Sequence, residues 1–166
     1  PLTLSVSYSY LDTKLLKQDD HKAEVTAAAG PIAGLAYAPI ADAGDSLPFA
    51  PDHNVVTSLN YLLPLPSEIG AVEFGATYVY VGKQRATATS SSPYAILDNY
   101  SLLNLNLNWT GIFNLPLDFS VFGTNILDKH YVTYISGTYN ALGFDSRQLG
   151  QPRMFGGRLR YTFGGG

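Results

Sequence analysis

Apolar and polar residues alternate along six separate stretches of this chain. In LTLSVSYSY (residues 2–10), Leu2, Leu4, Val6, Tyr8 and Tyr10 share one side, and Thr3, Ser5, Ser7 and Ser9 the other. A period of two is that of a strand with two unlike faces. In HNVVTSLNYLL (53–63), Val55, Thr57, Leu59, Tyr61 and Leu63 oppose Asn54, Val56, Ser58 and Asn60. In AVEFGATYVYV (71–81), Val72, Phe74, Ala76, Tyr78 and Tyr80 oppose Glu73, Gly75 and Thr77, while Val79 and Val81 blur the far end. The sharpest stretch is SLLNLNLNW (101–109), with Leu103, Leu105, Leu107 and Trp109 against Asn104, Asn106 and Asn108. LDFSVFGT (117–124) sets Leu117, Phe119 and Val121 against Asp118, Ser120 and Thr124. The last stretch sets Phe155, Leu159, Tyr161 and Phe163 against Arg158, Arg160 and Thr162. No segment has a convincing helical period. The pattern predicts an all-β chain of about six antiparallel strands in up-and-down order.

The connections alternate in length. PLPSEIG (64–70) and TGIFNLP (110–116) are short; Leu11–Asp52, Gly82–Asn99 and Ile126–Gly150 are long and carry the Gly, Ala, Asp, Ser and Pro of loops. Most stretches approach the length of a tilted strand crossing a bilayer, about 9–11 residues. A soluble β-sandwich would bury the apolar faces between two sheets; a transmembrane barrel would turn them to lipid and the polar faces to a wet lumen. The alternation of long loops with short turns favours the barrel, as do Asn, Ser and Thr on the polar faces. So do aromatics near both ends of the apolar face: Tyr61, Trp109, Tyr161 and Phe163 by the short turns, and Tyr8, Tyr10, Tyr78 and Tyr80 by the long loops. A lipid-facing arginine near the bilayer midplane costs about 2–4 kcal/mol. Arg158 and Arg160 therefore belong to the lumen, and they pin the register of the last strand.

Composition agrees. Charged residues make up 14% of the 166, against about 25% in an ordinary soluble domain. With a net charge of −3, the chain carries no electrostatic footprint for nucleic acid. Cysteine is absent, so there is no disulfide framework or thiolate metal site, and no cofactor is expected.

The end of the chain resembles the C-terminus of TonB-dependent outer-membrane receptors. Asn125-Ile126-Leu127-Asp128-Lys129-His130-Tyr131 is similar to the family's N-L-x-D-x-x-Y element, with Ile126 in place of the usual Leu. Gly150-Gln151-Pro152-Arg153 is similar to its G-x-P-R lead-in to the last strand. Arg158-Leu159-Arg160-Tyr161-Thr162-Phe163 is similar to its closing strand, here followed by Gly164-Gly165-Gly166. The family motif thus maps to Asn125, Asp128, Tyr131, Gly150, Pro152 and Arg153. By this resemblance residues 1–166 are the C-terminal segment of a 22-strand barrel, an open curved sheet whose plug domain and earlier strands are absent. The implied function is uptake of a scarce nutrient, such as a ferric siderophore-like ligand, energised through the TonB complex. Outer-membrane lipid, the plug, the remaining strands, a small-molecule ligand and the barrel-assembly machinery are the implied partners, with Tyr161 and Phe163 as the assembly signal.

Asn104, Asn106 and Asn108 are expected to form a lumenal ladder, and Arg153, Arg158 and Arg160 to meet the plug or a ligand. The cluster Lys17-Gln18-Asp19-Asp20-His21-Lys22 reads as a solvated loop tip. His53 reads as a headgroup-zone residue, and His130 as part of the motif. Gly30–Ile40 is an apolar, Ala- and Gly-rich stretch of the first long connection. No serine stands in a recognisable nucleophile motif, so no enzyme is expected. A passive porin-like channel and a soluble β-sandwich binding module are the alternatives.

Overall fold

The computed structural model describes residues 1–17, 43–87 and 94–164. Gln18–Lys22, Gly30–Ile40 and the last two glycines lie outside the described residues. The strands are β1 (Leu2–Tyr10), β2 (His53–Leu62), β3 (Ala71–Val81), β4 (Gln84–Arg85), β5 (Ile96–Leu97), β6 (Tyr100–Thr110), β7 (Leu117–Thr124), β8 (Val132–Ile135), β9 (Arg147–Leu149) and β10 (Met154–Tyr161). Six of them form one antiparallel sheet in the order β1-β2-β3-β6-β7-β10. The sheet is open: β1 and β10 are its two edges and do not pair with each other. Neighbours along it are neighbours in sequence order apart from the small hairpins β4–β5 and β8–β9, which sit within the long connections.

The register keeps like with like. Leu4 pairs with Leu59, Leu59 with Ala76, Ala76 with Leu105, and Leu105 with Gly123, so the apolar residues form one continuous face. That face lies bare. Leu2 and Leu4 are each 62% exposed, Leu159 68% and Phe155 72%. The buried apolar residues among those described are Ala86, Ala95, Leu97, Ile112 and Ile135, none of which lies on the six-stranded sheet. No second layer of described residues covers the apolar face, so the sandwich alternative fails. A face this large and this apolar is stable in hydrocarbon and aggregates in water.

Two short turns close the opposite end from the long connections; the first holds a 3₁₀ turn, Ser67–Ile69, and the second, Ile112–Asn114, turns through the left-handed region at Phe113 and Asn114. The Trp109 Nε1–H donates to the Ile69 carbonyl at 2.8 Å and ties them together. Gly70 has φ +95°, and a Cβ there would collide with the backbone carbonyls of Thr110 and Gly111. Gly44 has φ +96° in open space. Gly70→Ala should therefore destabilise the detergent-folded protein by about 2 kcal/mol or more, while Gly44→Ala carries the backbone strain alone. Urea midpoints read by Trp109 fluorescence would check this, and equal midpoints would remove the proposed clash.

Two expectations need correction. The last strand leaves the ladder after Tyr161, two residues before Phe163, because its partner β7 begins at Leu117; Thr162 makes one further bond, to the Pro116 carbonyl, at 2.9 Å. The second and third long connections, expected as loops, contain strands of their own. Segments of two to four residues are too short for a period of two to register in sequence.

Candidate functional site

The polar face of the sheet can be followed row by row. One row runs Thr3–Asn60–Gly75–Asn106–Phe122–Gly156 straight across all six strands. Its large side chains lie over its glycines: a Cβ on Gly75 would strike the Asn106 amide, and one on Gly156 the Phe122 ring. Asn104 stands opposite Thr77, and Asn108 opposite Glu73 and Ser120. The three asparagines thus occupy successive rows of one face, but they differ in what they hold. Asn104 Oδ1 accepts the backbone N–H of Asn125 at 2.9 Å. Towards the long-connection end the face turns apolar, with Val56 paired to Val79 and Leu102 beside them. Phe122, which the sequence pattern left unassigned, belongs here because its register partners are Asn106 and Gly156.

The three arginines are not equivalent. Arg160 donates to Asp118 through Nε at 3.0 Å and Nη2 at 2.5 Å, and Asp118 also accepts the Gly111 N–H at 3.0 Å. Arg153 pairs with Asp128 at 3.5 Å, just ahead of the first residue of β10. Arg158 stands opposite Ser120, exposed and without an ion pair among the described residues.

The motif residues, split by about twenty positions in sequence, meet at one place. Asn125 is 3% exposed with φ +49°, a left-handed conformation that Asn tolerates. Its Oδ1 accepts the Lys129 N–H at 2.8 Å, and its Nδ2 donates to the carbonyls of Lys129 at 2.9 Å and Gln151 at 3.1 Å. Tyr131 lies over Gly150, where a Cβ would overlap its ring, and stacks on Tyr100 with centroids 4.3 Å apart. Gly150 returns a backbone bond to the Tyr131 carbonyl at 2.8 Å. Pro152 sits between Gln151 and Arg153, where the chain enters β10 and no described ladder bond needs its missing N–H. This cluster closes the base of the third long connection. Tyr161 and Phe163 pack edge to face at 4.7 Å beside the short turns.

At the other end, the long connections converge into a small cap. Ala86, Leu97 and Ile135 form its core, with Val132 against them. The first connection joins through the Arg85–Asp45 ion pair at 2.9 Å, the Phe49 N–H to Arg85 carbonyl bond at 2.8 Å and the stack of Phe49 on Tyr134. A cavity of about 290 Å³ lies between the second and third connections, lined in part by Tyr94, Asp98, Lys129, His130, Tyr131 and Arg147. Sequence reasoning found Lys129, His130 and Tyr131 only within the motif and missed Tyr94, Asp98 and Arg147. His53 sits on the apolar face, where its Nδ1 is 2.9 Å from the Tyr8 hydroxyl and its ring is 5.3 Å from Tyr10. Phe113, also missed, has φ +51° and packs edge to face on Trp109 at 5.6 Å. An aromatic residue held in that strained region is unusual, and here it adds a ring to the turn-side aromatic belt.

A bare apolar face, a polar face with paired charges, two open edges and a cap on one end define a section of the wall of an outer-membrane β-barrel. The family model described as "TonB dependent receptor-like, beta-barrel" matches residues 2–126, and the chain belongs to that family. Its place is the bacterial outer membrane. Among solved structures, the fold is similar to that of the ferric yersiniabactin uptake receptor FyuA from Yersinia pestis, with a TM-score of 0.56 and 20% identity over 70% of this chain. The chain spans 17% of that receptor. No curated protein matches.

Proposed function

We propose that residues 1–166 are the C-terminal segment of a TonB-dependent receptor barrel, with the plug and the remaining strands supplied by the rest of the receptor. The whole receptor imports a scarce nutrient, a ferric siderophore-like or related ligand, using energy delivered through the TonB complex. It binds and transports; no catalytic step is assigned to it. The observation that carries this reading is the two-faced open sheet, matched by the family over five of its six strands. FyuA, a relative in fold, is by name a ferric chelate uptake receptor. The cap of long connections faces the exterior and captures ligand.

The polar wall faces the plug. Arg160 and Arg153 already have aspartate partners within this segment, which leaves Arg158 as the cation for an acidic group on the plug. Asn106 and Asn108 offer neutral hydrogen bonds to the same surface. Tyr161 and Phe163 present the aromatic end that the barrel-assembly machinery reads.

Cells carrying the whole receptor should accumulate at least one of a panel of radiolabelled ferric chelates, and a receptor deletion should abolish that uptake. Dissipating the proton gradient, or deleting TonB, should cut it tenfold or more. Uptake indifferent to both treatments would make the receptor a passive channel.

A further inference from the structure

The pairing of charges isolates one place on this molecule. Acidic residues outnumber Lys and Arg, 13 to 10, so a basic side chain readily finds a carboxylate. Among the described residues, Lys14, Lys83, Arg85, Arg153 and Arg160 each lie within 4.0 Å of an aspartate. Lys17 has a partner as well. That leaves Lys129, Arg147 and Arg158 without an ion pair among the described residues. Arg158 stands on the wall, but Lys129 and Arg147 line the same cavity of about 290 Å³ in the cap. His130, with no hydrogen bond to a described residue, joins them there. The carboxylate on the lining, Asp98, has Lys83 at 4.0 Å.

Lys129 and Arg147 thus face the space with Asp98 as the lining carboxylate, which is highly exposed and shared with Lys83, so cations outnumber carboxylates there and an anion between them relieves the excess. The rest of the lining suits a ring. Leu97 and Ile135 of the cap core form an apolar side, and the Arg147 guanidinium lies 5.1 Å from the centroid of the Tyr94 ring. Stacking of that kind holds an arginine in place and leaves its fork of N–H donors for a carboxylate. The volume is at the low end of the roughly 300–1,000 Å³ of small-molecule sites, enough for one ring-sized group.

We infer that this cavity binds an anionic, ring-sized group of a soluble ligand, a carboxylate on an aromatic ring being the best fit, through Arg147 and Lys129. The inference rests on the uptake reading for the ligand's being a solute captured outside the cell. It adds the ligand's charge and the residues that select it.

The test uses the whole receptor in zwitterionic nanodiscs, titrated with benzoate and with its neutral analogue benzamide, and read by ligand-observed saturation-transfer NMR. Benzoate should bind and benzamide should bind at least tenfold more weakly. Arg147→Gln and Lys129→Gln should each weaken benzoate about tenfold, with Lys14→Gln at wild-type affinity. Both substituted residues are exposed, so folding should be untouched, and an unchanged melting profile would confirm that. Equal binding of benzoate and benzamide, or wild-type benzoate affinity in the double variant, would overturn the inference. So would loss of benzoate binding in nanodiscs bearing lipopolysaccharide, which would give the cavity to the lipid's phosphates. These outcomes are independent of energised uptake: a receptor that imports through TonB yet ignores Lys129 and Arg147 defeats this inference alone, and one that binds benzoate but imports passively defeats only the transport mechanism.

Discussion

Leu105→Arg should abolish or severely impair membrane insertion, while Asn106→Arg, one position along the same strand, should be tolerated. Leu105 sits in the middle of the apolar face, between Ala76 and Gly123. A cation there enters hydrocarbon, at about 2–4 kcal/mol near the midplane. Asn106 sits on the polar face, between Gly75 and Phe122, where an arginine would take the place over Gly75 that the Asn106 amide now fills and reach on into water. The comparison is internal, because the two residues share a strand, a depth and local backbone bonding. The fraction of receptor resistant to heat-induced gel-shift unfolding in isolated outer membranes would read the difference. Equal losses at both positions would defeat the assignment of the faces, and a loss confined to Asn106 would invert it.

Asn125→Ala should be the most damaging small substitution at the base of the third connection, at about 3 kcal/mol. It removes one acceptor and two donors that hold Lys129 and Gln151. It also puts a residue less tolerant of φ +49° in a left-handed turn. Each buried backbone group left without a partner costs about 1–3 kcal/mol, and the conformational strain about 1–2 more, reduced where water can enter. Asn125→Asp retains the acceptor for Lys129 but loses both donated bonds, so it should fall between wild type and Ala. Urea midpoints rank the three, and faster amide exchange at Lys129 localises the effect. A loss below about 0.5 kcal/mol for Asn125→Ala would mean that the turn is held by something else.

The wall was legible in the sequence because lipid on one side and water on the other impose a period of two with few exceptions. Leu103, Leu105 and Leu107 against Asn104, Asn106 and Asn108 give strand, faces and register at once. Phe122 escaped because its row is read across strands: it is an aromatic on the polar face, lying over Gly156 of the neighbouring strand, which is remote from it in sequence. The cap escaped for another reason. Its core is Leu97, Ala86 and Ile135, three residues from two connections, and no periodicity within either connection brings them together. The motif around Asn125 was recognised as letters, but its purpose became visible only when Lys129 and Gln151 were seen bonded to one side chain. The meeting of Lys129 with Arg147 was invisible because a cation's lack of a partner is a property of the folded neighbourhood.

The Asn125 clamp has one more consequence. By joining Lys129 to Gln151 it pins both ends of the third connection to the wall, and the Tyr131–Gly150 contact closes it a second time. A segment with fixed ends is, to the strands below it, a detachable ring: lengthening it costs little closure entropy, roughly 0.6 kcal/mol per doubling. The stretch between β8 and β9 can therefore grow or shrink while β7 and β10 keep their alignment. Length in the connection and alignment in the wall are then free to vary separately.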